Sequence, residues 1–257
     1  MLKVLVQRLR QGHRTLCFPP EPPELSDRFR GLPQLDAARC AEGCGDCAAA
    51  CPTDALTLGE GGPHLDLGRC LFCAECAAAC THGALTYGGD FRLAARRRQD
   101  LVVEPGRTRE LATALDAAAR RLFGRSLQLR QVSAGGCNGC EVEVNVLNTV
   151  VFDLGRFGIG FVASPRHADG LLVTGPVTRA MREALRASYE AVPAPRLVIA
   201  VGACAISGGP YVDHPEVSNG ADGIVPVDLY VPGCPPHPAT ILDGLLRLLG
   251  HPEVSRR

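Results

Sequence analysis

Eight cysteines lie between residues 40 and 80, and they form two runs that copy one another. Cys44-Gly45-Asp46-Cys47-Ala48-Ala49-Ala50-Cys51 recurs 29 residues later as Cys73-Ala74-Glu75-Cys76-Ala77-Ala78-Ala79-Cys80, and the likeness continues through Ala55-Leu56-Thr57 and Ala84-Leu85-Thr86. The leading cysteines, Cys40 and Cys70, stand 30 residues apart, so one residue is inserted between Cys40 and Cys44. Any fold must therefore gather these thiols in two equivalent loops. Met1–Arg10 reads as too short and too interrupted by charge for a secretory signal, and no twin-arginine leader precedes the repeat. Thirteen cysteines in that setting imply a reducing compartment, where thiols bind metal instead of pairing.

A [4Fe–4S] cube offers four irons, each needing one thiolate. Three cysteines on one tight turn reach three corners, and the fourth ligand arrives from elsewhere. Cys70, Cys73, Cys76 and Cys80 have the C-x2-C-x2-C-x3-C spacing; Cys40, Cys44, Cys47 and Cys51-Pro52 have it with the insertion. The stretch from about Asp36 to Tyr87 resembles a bacterial-type double-cluster ferredoxin, in which the last cysteine of each run serves the other cluster. The resemblance implies one cluster held by Cys40, Cys44, Cys47 and Cys80, and another by Cys70, Cys73, Cys76 and Cys51. The insertion lengthens one ligand loop, and Thr81 stands where proline usually follows Cys80; neither removes a ligand. Zinc is the rival occupant, but it takes two Cys-x-x-Cys pairs rather than two four-cysteine runs.

Beyond Asp90 the texture changes. Arg96-Arg97-Arg98 reads as a solvated turn or helix end. Leu111, Leu115, Ala118, Ala119 and Leu122 fall at helical spacing, which predicts a connecting helix over Arg109–Phe123. Strands are expected at Leu127–Val132, Ile159–Ala163, Gly170–Thr174, Leu197–Val201 and Val227–Val231, with helices at Cys140–Val150, Val177–Glu190 and His237–Leu249. Such alternation implies a mainly parallel sheet covered on both faces. The expected organisation is an N-terminal helix and lead-in (1–35), an α+β ferredoxin-like double-cluster domain (36–90), a linker with its helix (91–125) and an α/β flavodoxin-like domain (126–257).

Four more cysteines then become meaningful. Cys137 and Cys140 follow the first strand of the second domain, Cys204 the fourth and Cys234 the fifth, so all lie beyond the carboxyl ends of parallel strands, where such sheets place ligands. Four convergent thiolates make a third [4Fe–4S] site. The balance of 27 basic and 27 acidic residues speaks against a nucleic-acid partner, which normally demands a basic excess. No apolar run approaches the roughly 20 residues needed to cross a bilayer.

Five ordered blocks carry a second resemblance: Gly136-Cys137-Asn138-Gly139-Cys140-Glu141, Ser164-Pro165-Arg166-His167-Ala168-Asp169, Gly175-Pro176-Val177-Thr178, Gly202-Ala203-Cys204-Ala205 and Val231-Pro232-Gly233-Cys234-Pro235-Pro236. Together they resemble the small subunit shared by energy-converting nickel–iron hydrogenases and respiratory complex I. The complex I branch has adjacent cysteines at the first pair; the spaced Cys137 and Cys140 resemble the hydrogenase branch, and formate hydrogenlyase in particular. The lead-in from Phe18-Pro19-Pro20 to Gly31-Leu32-Pro33 is similar to that of the same complex's ferredoxin-like subunit, so the chain reads as a fusion of two subunits.

The resemblance implies a membrane-associated electron-transfer subunit with three [4Fe–4S] clusters. It would relay electrons to or from a nickel–iron large subunit, alongside membrane ion-translocating subunits and an electron donor of formate dehydrogenase or ferredoxin type. Its place would be cytoplasmic, peripheral on the inner face of the membrane through those partners. The alternatives are a complex I-like quinone or sulfur reductase module and a non-catalytic zinc scaffold. Nothing in the chain supplies nickel ligands or a nucleotide-binding glycine loop. Met1–Arg10 places Leu2, Leu5, Val6 and Leu9 on one helical face, suited either to a membrane surface or to packing. Glu141 and Glu143 read as helix-start acids, Cys17 as incidental, Asp213-His214-Pro215 as a turn, and His64, His82, His167, His214 and His237 as structural.

Overall fold

The computed structural model describes residues 2–41, 43–59, 61–124, 126–251 and 254. Helix α1 (Leu2–Gln11) buries none of its side chains, and Leu2, Leu5 and Leu9 are exposed. The lead-in after it runs across the rest of the molecule. Leu16 donates its N–H to the Val151 carbonyl at 2.9 Å, and the Phe18 ring meets Phe91 edge-on at 5.8 Å. Arg30 then donates to the carbonyls of Phe72 and Cys73 at 2.8 and 3.0 Å.

The two cysteine runs fold as two copies of one unit, a ligand loop, a short helix and a strand. α2 (Asp46–Ala49) leads to β2 (Leu56–Gly59), and α3 (Glu75–Ala79) leads to β4 (Leu85–Tyr87). Asp46 and Glu75 sit in the first turns of these helices, where the helix dipole favours an acid. β4 pairs antiparallel with β1 (Pro33–Leu35), and β2 with β3 (Gly62–Asp66). A further strand, β5 (Val102–Val103), pairs with β3 from beyond the repeat.

In the second domain β6 (Leu127–Ser133), β7 (Ile159–Phe161), β8 (Gly170–Thr174), β9 (Leu197–Val201) and β10 (Leu229–Val231) form one parallel sheet in the order β7-β6-β8-β9-β10. Numbered within the domain that order is 2-1-3-4-5, the flavodoxin-like one. β8 and β9 are buried along their whole length, which explains their near-continuous Leu, Val and Ile composition. The helices are α5 (Gly139–Val146), α6 (Arg182–Ala191), α7 (Ala203–Ser207) and α8 (Pro238–Leu248).

The helix expected over Arg109–Phe123 is confined to α4 (Ala117–Phe123). Asp116 caps it, accepting from the N–H groups of Ala118 and Ala119 at 2.9 Å. Upstream, backbone donors are spent on the protein body: Ala112 on the Ala94 carbonyl and Leu115 on that of Leu248, both at 2.9 Å. Arg109 turns inward onto the carbonyls of Arg92 and Leu93. Elsewhere Val177 takes a left-handed φ of 54°, so the expected helix at 177–190 begins only at Arg182. The arginine run is also not simply solvated. Arg98 grips Asp66 at the end of β3, Arg97 pairs with Asp100 and Glu110, and Arg96 reaches the carbonyls of Ala114 and Asp228.

Residues between these modules join them. Ala95 exchanges both backbone hydrogen bonds with Tyr230 at 2.9 and 3.0 Å, covering the free edge of β10, while Val102–Val103 extends the other sheet. Leu101, fully buried, belongs to one core that holds Leu56, Leu65 and Leu67 together with Ala200, Ala205, Ile206 and Tyr230. Gly68 lies so close to α7 that an added Cβ would stand 2.8 Å from the Ile206 Cγ2. Leu101→Ala should therefore cost about 2–5 kcal/mol and lower a single melting transition seen by calorimetry. An unchanged melting temperature would contradict the shared core.

Candidate metal centres

Twelve of the thirteen cysteines, all unpaired, gather in three groups. In the first, the Cys47 thiol is flanked by those of Cys80 and Cys40, and Cys44 lines a cavity with Cys40. In the second, Cys70 neighbours Cys76 and Cys51, and Cys76 neighbours Cys51 and Cys73. The last cysteine of each run thus sits with the opposite run. In the third, Cys140 is flanked by Cys204, Cys234 and Cys137. Leu71 and Phe72, beside Cys70 and Cys73, line one cavity with Cys234, which brings the second and third groups near each other. Cys17 is exposed on the lead-in.

The repeat places its backbone donors with the same regularity. Ala55 donates its N–H to the Cys51 sulfur at 3.2 Å, and Ala84 does the same to Cys80 at 3.2 Å. Phe72 donates to Cys70 at 3.3 Å. Donors aimed at sulfur stabilise thiolates and the negative charge of a metal–thiolate group. Sequence reasoning missed one side chain, Tyr87, whose hydroxyl lies 3.6 Å from the Cys76 sulfur and 3.8 Å from that of Cys70. Its signal is a tyrosine where the first copy has Leu58.

The third group is built on strand ends. The 137–140 loop leaves β6, Cys204 lies in α7 just past β9, and Cys234 follows β10. Gly202 has φ +91°, and a Cβ there would stand 2.5 Å from the Cys140 sulfur, so only glycine lets the β9 turn approach the thiol. Glu141 is more than a helix-start acid. It is 7% exposed and accepts from Ser133 Oγ at 2.6 Å and Thr174 Oγ1 at 2.8 Å. Those residues end β6 and β8, where the strand order reverses, so Glu141 ties the ligand loop to the sheet's switch point. Glu143, its carboxyl pushed up by burial, lines a cavity of about 260 Å³ with Arg30, Phe72, Cys234 and His237. His237 accepts from the Ala239 N–H at 3.1 Å and so caps α8.

Burial, reinforced by neighbouring sulfurs, pushes Cys70 up to about 12 and Cys204 up to about 11, and raises Cys140 further. A lone buried cysteine in such surroundings is an inert thiol; four that converge are deprotonated when a metal binds them. Among the described residues no three His, Cys, Asp or Glu side chains converge tightly enough for a single ion. Four thiolates in each group fit the all-cysteine ligand sets that iron–sulfur clusters take.

Residues 137–248 match the family model described as the 20 kDa subunit of NADH ubiquinone oxidoreductase, and residues 33–84 match the 4Fe–4S dicluster domain. The probable membrane-bound hydrogenase subunit mbhJ of Pyrococcus furiosus is 46% identical over 129 residues, which are 50% of this chain and 77% of that protein. The chain belongs to the 20 kDa-subunit family. It is also 47% identical over 141 residues to formate hydrogenlyase subunit 7 of Escherichia coli, covering 55% of each chain. A subunit of the NADH-quinone oxidoreductase of Rubrobacter xylanophilus is 49% identical over 110 residues, 42% of this chain and 44% of that one. The chain thus spans about half the length of two of these relatives. This member of the 20 kDa-subunit family carries an iron–sulfur dicluster domain in the same polypeptide.

Gly202→Ala is expected to displace the Cys140 thiol and lower bound iron by about one cluster, leaving the 33–84 module loaded. Iron analysis of the purified variant checks this, and an unchanged iron content would contradict it.

Proposed function

We propose that the chain is an electron-transfer subunit of a membrane-associated nickel–iron hydrogenase of the formate hydrogenlyase type. The observation that carries this reading is the succession of three thiol groups, the second and third drawn together where Leu71, Phe72 and Cys234 line one cavity. In this reading Cys40, Cys44, Cys47 and Cys80 hold one [4Fe–4S] cluster, Cys51, Cys70, Cys73 and Cys76 a second, and Cys137, Cys140, Cys204 and Cys234 a third. When bound, such clusters accept and release single electrons. The chain's own part is to fix their spacing, keep water from the buried Cys47, Cys70 and Cys76, and aim N–H groups at sulfur.

Cys137, Cys234 and Val142, two residues past Cys140, are all exposed, which supports a docking face for a nickel–iron large subunit over the third site. Both hydrogenase relatives agree with that partner, as does the spacing of Cys137 and Cys140. Among the described residues no helix is long and apolar enough to cross a membrane. Association with the membrane is therefore assigned to ion-translocating partner subunits, with the unburied apolar face of α1 available for contact. The electron donor would be of formate dehydrogenase or ferredoxin type. A complex I-like quinone or sulfur reductase role is the second reading, favoured by the quinone oxidoreductase relative.

The chain purified without oxygen should be brown, with about twelve irons per polypeptide. Cys80→Ser should perturb the same electron paramagnetic resonance signal as Cys40→Ser, and Cys51→Ser the same signal as Cys73→Ser. A colourless, zinc-loaded protein would overturn the relay, and signals pairing within each run would overturn the exchanged ligands.

A further inference from the structure

The two copies of the cysteine repeat differ chemically at one strand position. Leu56-Thr57-Leu58 in the first corresponds to Leu85-Thr86-Tyr87 in the second. Leu58 stands near its own ligand loop, with Cδ1 3.7 Å from where a Cβ on Gly45 would lie, and it lines a cavity with Cys40 and Cys44. Tyr87 takes the same place beside Cys70 and Cys76 but brings a hydroxyl, 3.8 and 3.6 Å from the two sulfurs. Pairing of Tyr87 with Pro33 in the sheet and the tilted contact of its ring with Phe72, 6.2 Å between centroids, hold it there.

The direction of the hydrogen bond follows from chemistry. A metal-bound thiolate has no hydrogen to give, whereas a phenol keeps its proton at neutral pH. A second hydroxyl near a thiol, Thr53 Oγ1 at 3.9 Å from the Cys51 sulfur, already donates to the Arg69 carbonyl at 2.8 Å. Cys70 and Cys76 are each 5% exposed. Burial alone opposes an additional negative charge on their sulfurs, and a donor aimed at them opposes that penalty.

We propose that the Tyr87 hydroxyl shares its one proton between the Cys76 and Cys70 thiolates and raises the reduction potential of the cluster they hold, setting the two halves of the repeat apart. This rests on the ligand assignment proposed above. Tyr87 acts only through the sulfurs; it is a tuning residue, and its removal should alter a potential without removing a ligand.

The test is an anaerobic redox titration of the full, iron-loaded chain, wild type against Tyr87→Phe, followed by electron paramagnetic resonance. Loss of the hydroxyl is expected to make one cluster about tenfold harder to reduce, a shift of about 59 mV to lower potential. The other signals and the iron content should stay as in the wild type. Unchanged midpoints at full iron content would overturn the role of Tyr87 while leaving the clusters in place. A wild-type chain with no cluster signal would overturn both this proposal and the relay. Should Tyr87→Phe bind less iron, Leu58→Tyr gives the reciprocal reading. It is expected to raise the potential of a different signal, and an unchanged potential in that fully loaded variant would contradict the proposal.

Discussion

Residues 95–103 are bonded at once to the parallel sheet and to the β2-β3 sheet of the cysteine repeat, and the spacing between the thiol groups of the two modules depends on that bond. Ala95 closes the edge of β10, Val102 and Val103 extend the sheet of the cysteine repeat, and Leu101 fills the core between them. Electron exchange between metal centres weakens steeply with separation, so two domains on a loose tether would hold no fixed coupling. Here the hydrophobic effect that folds each module also fixes their spacing, because Leu65, Ile206 and Tyr230 pack in the same core. Arg98 on Asp66 and Ser207 on the Gly68 carbonyl add polar contacts across the same seam.

Sulfur chemistry sets the second level of organisation. In the proposed assignment each loop of the repeat supplies three thiols to its own group and sends its last cysteine to the other, so that neither site would be complete without both copies. The N–H donors of Ala55 and Ala84 repeat with the cysteines they serve, as duplication of a whole unit requires. The third group is assembled differently, by parallel strands that end at one place. Close backbone approach at Gly202 and the anchoring of Glu141 to Ser133 and Thr174 bring its loops to the sheet's carboxyl edge.

Much of this was legible in the sequence. Cysteine spacing is a local constraint, and β8 and β9 occupy the ranges expected from their apolar runs because burial on both faces dictates composition. What escaped depends on partners distant in the chain. The periodicity of residues 109–123 suggests one helix, yet the carbonyls of Leu93, Ala94 and Leu248 capture the donors of its first half, and Asp116 restarts it. Glu141 looks like any helix-start acid until Ser133 and Thr174 are brought to it by strands the pattern does not align. Tyr87 is visible as a departure from the repeat, but only the fold aims its hydroxyl at Cys70 and Cys76.

The central claim, relay to a nickel–iron partner, is tested most directly by capturing the tagged chain from its native host without oxygen and in mild detergent. Iron and nickel would be measured and the partners identified by mass spectrometry. The account predicts nickel and a large subunit co-purifying in fixed proportion to the iron of this chain. Iron without nickel, alongside quinone-reactive partners, would contradict the hydrogenase assignment and move the protein to the complex I side of its family.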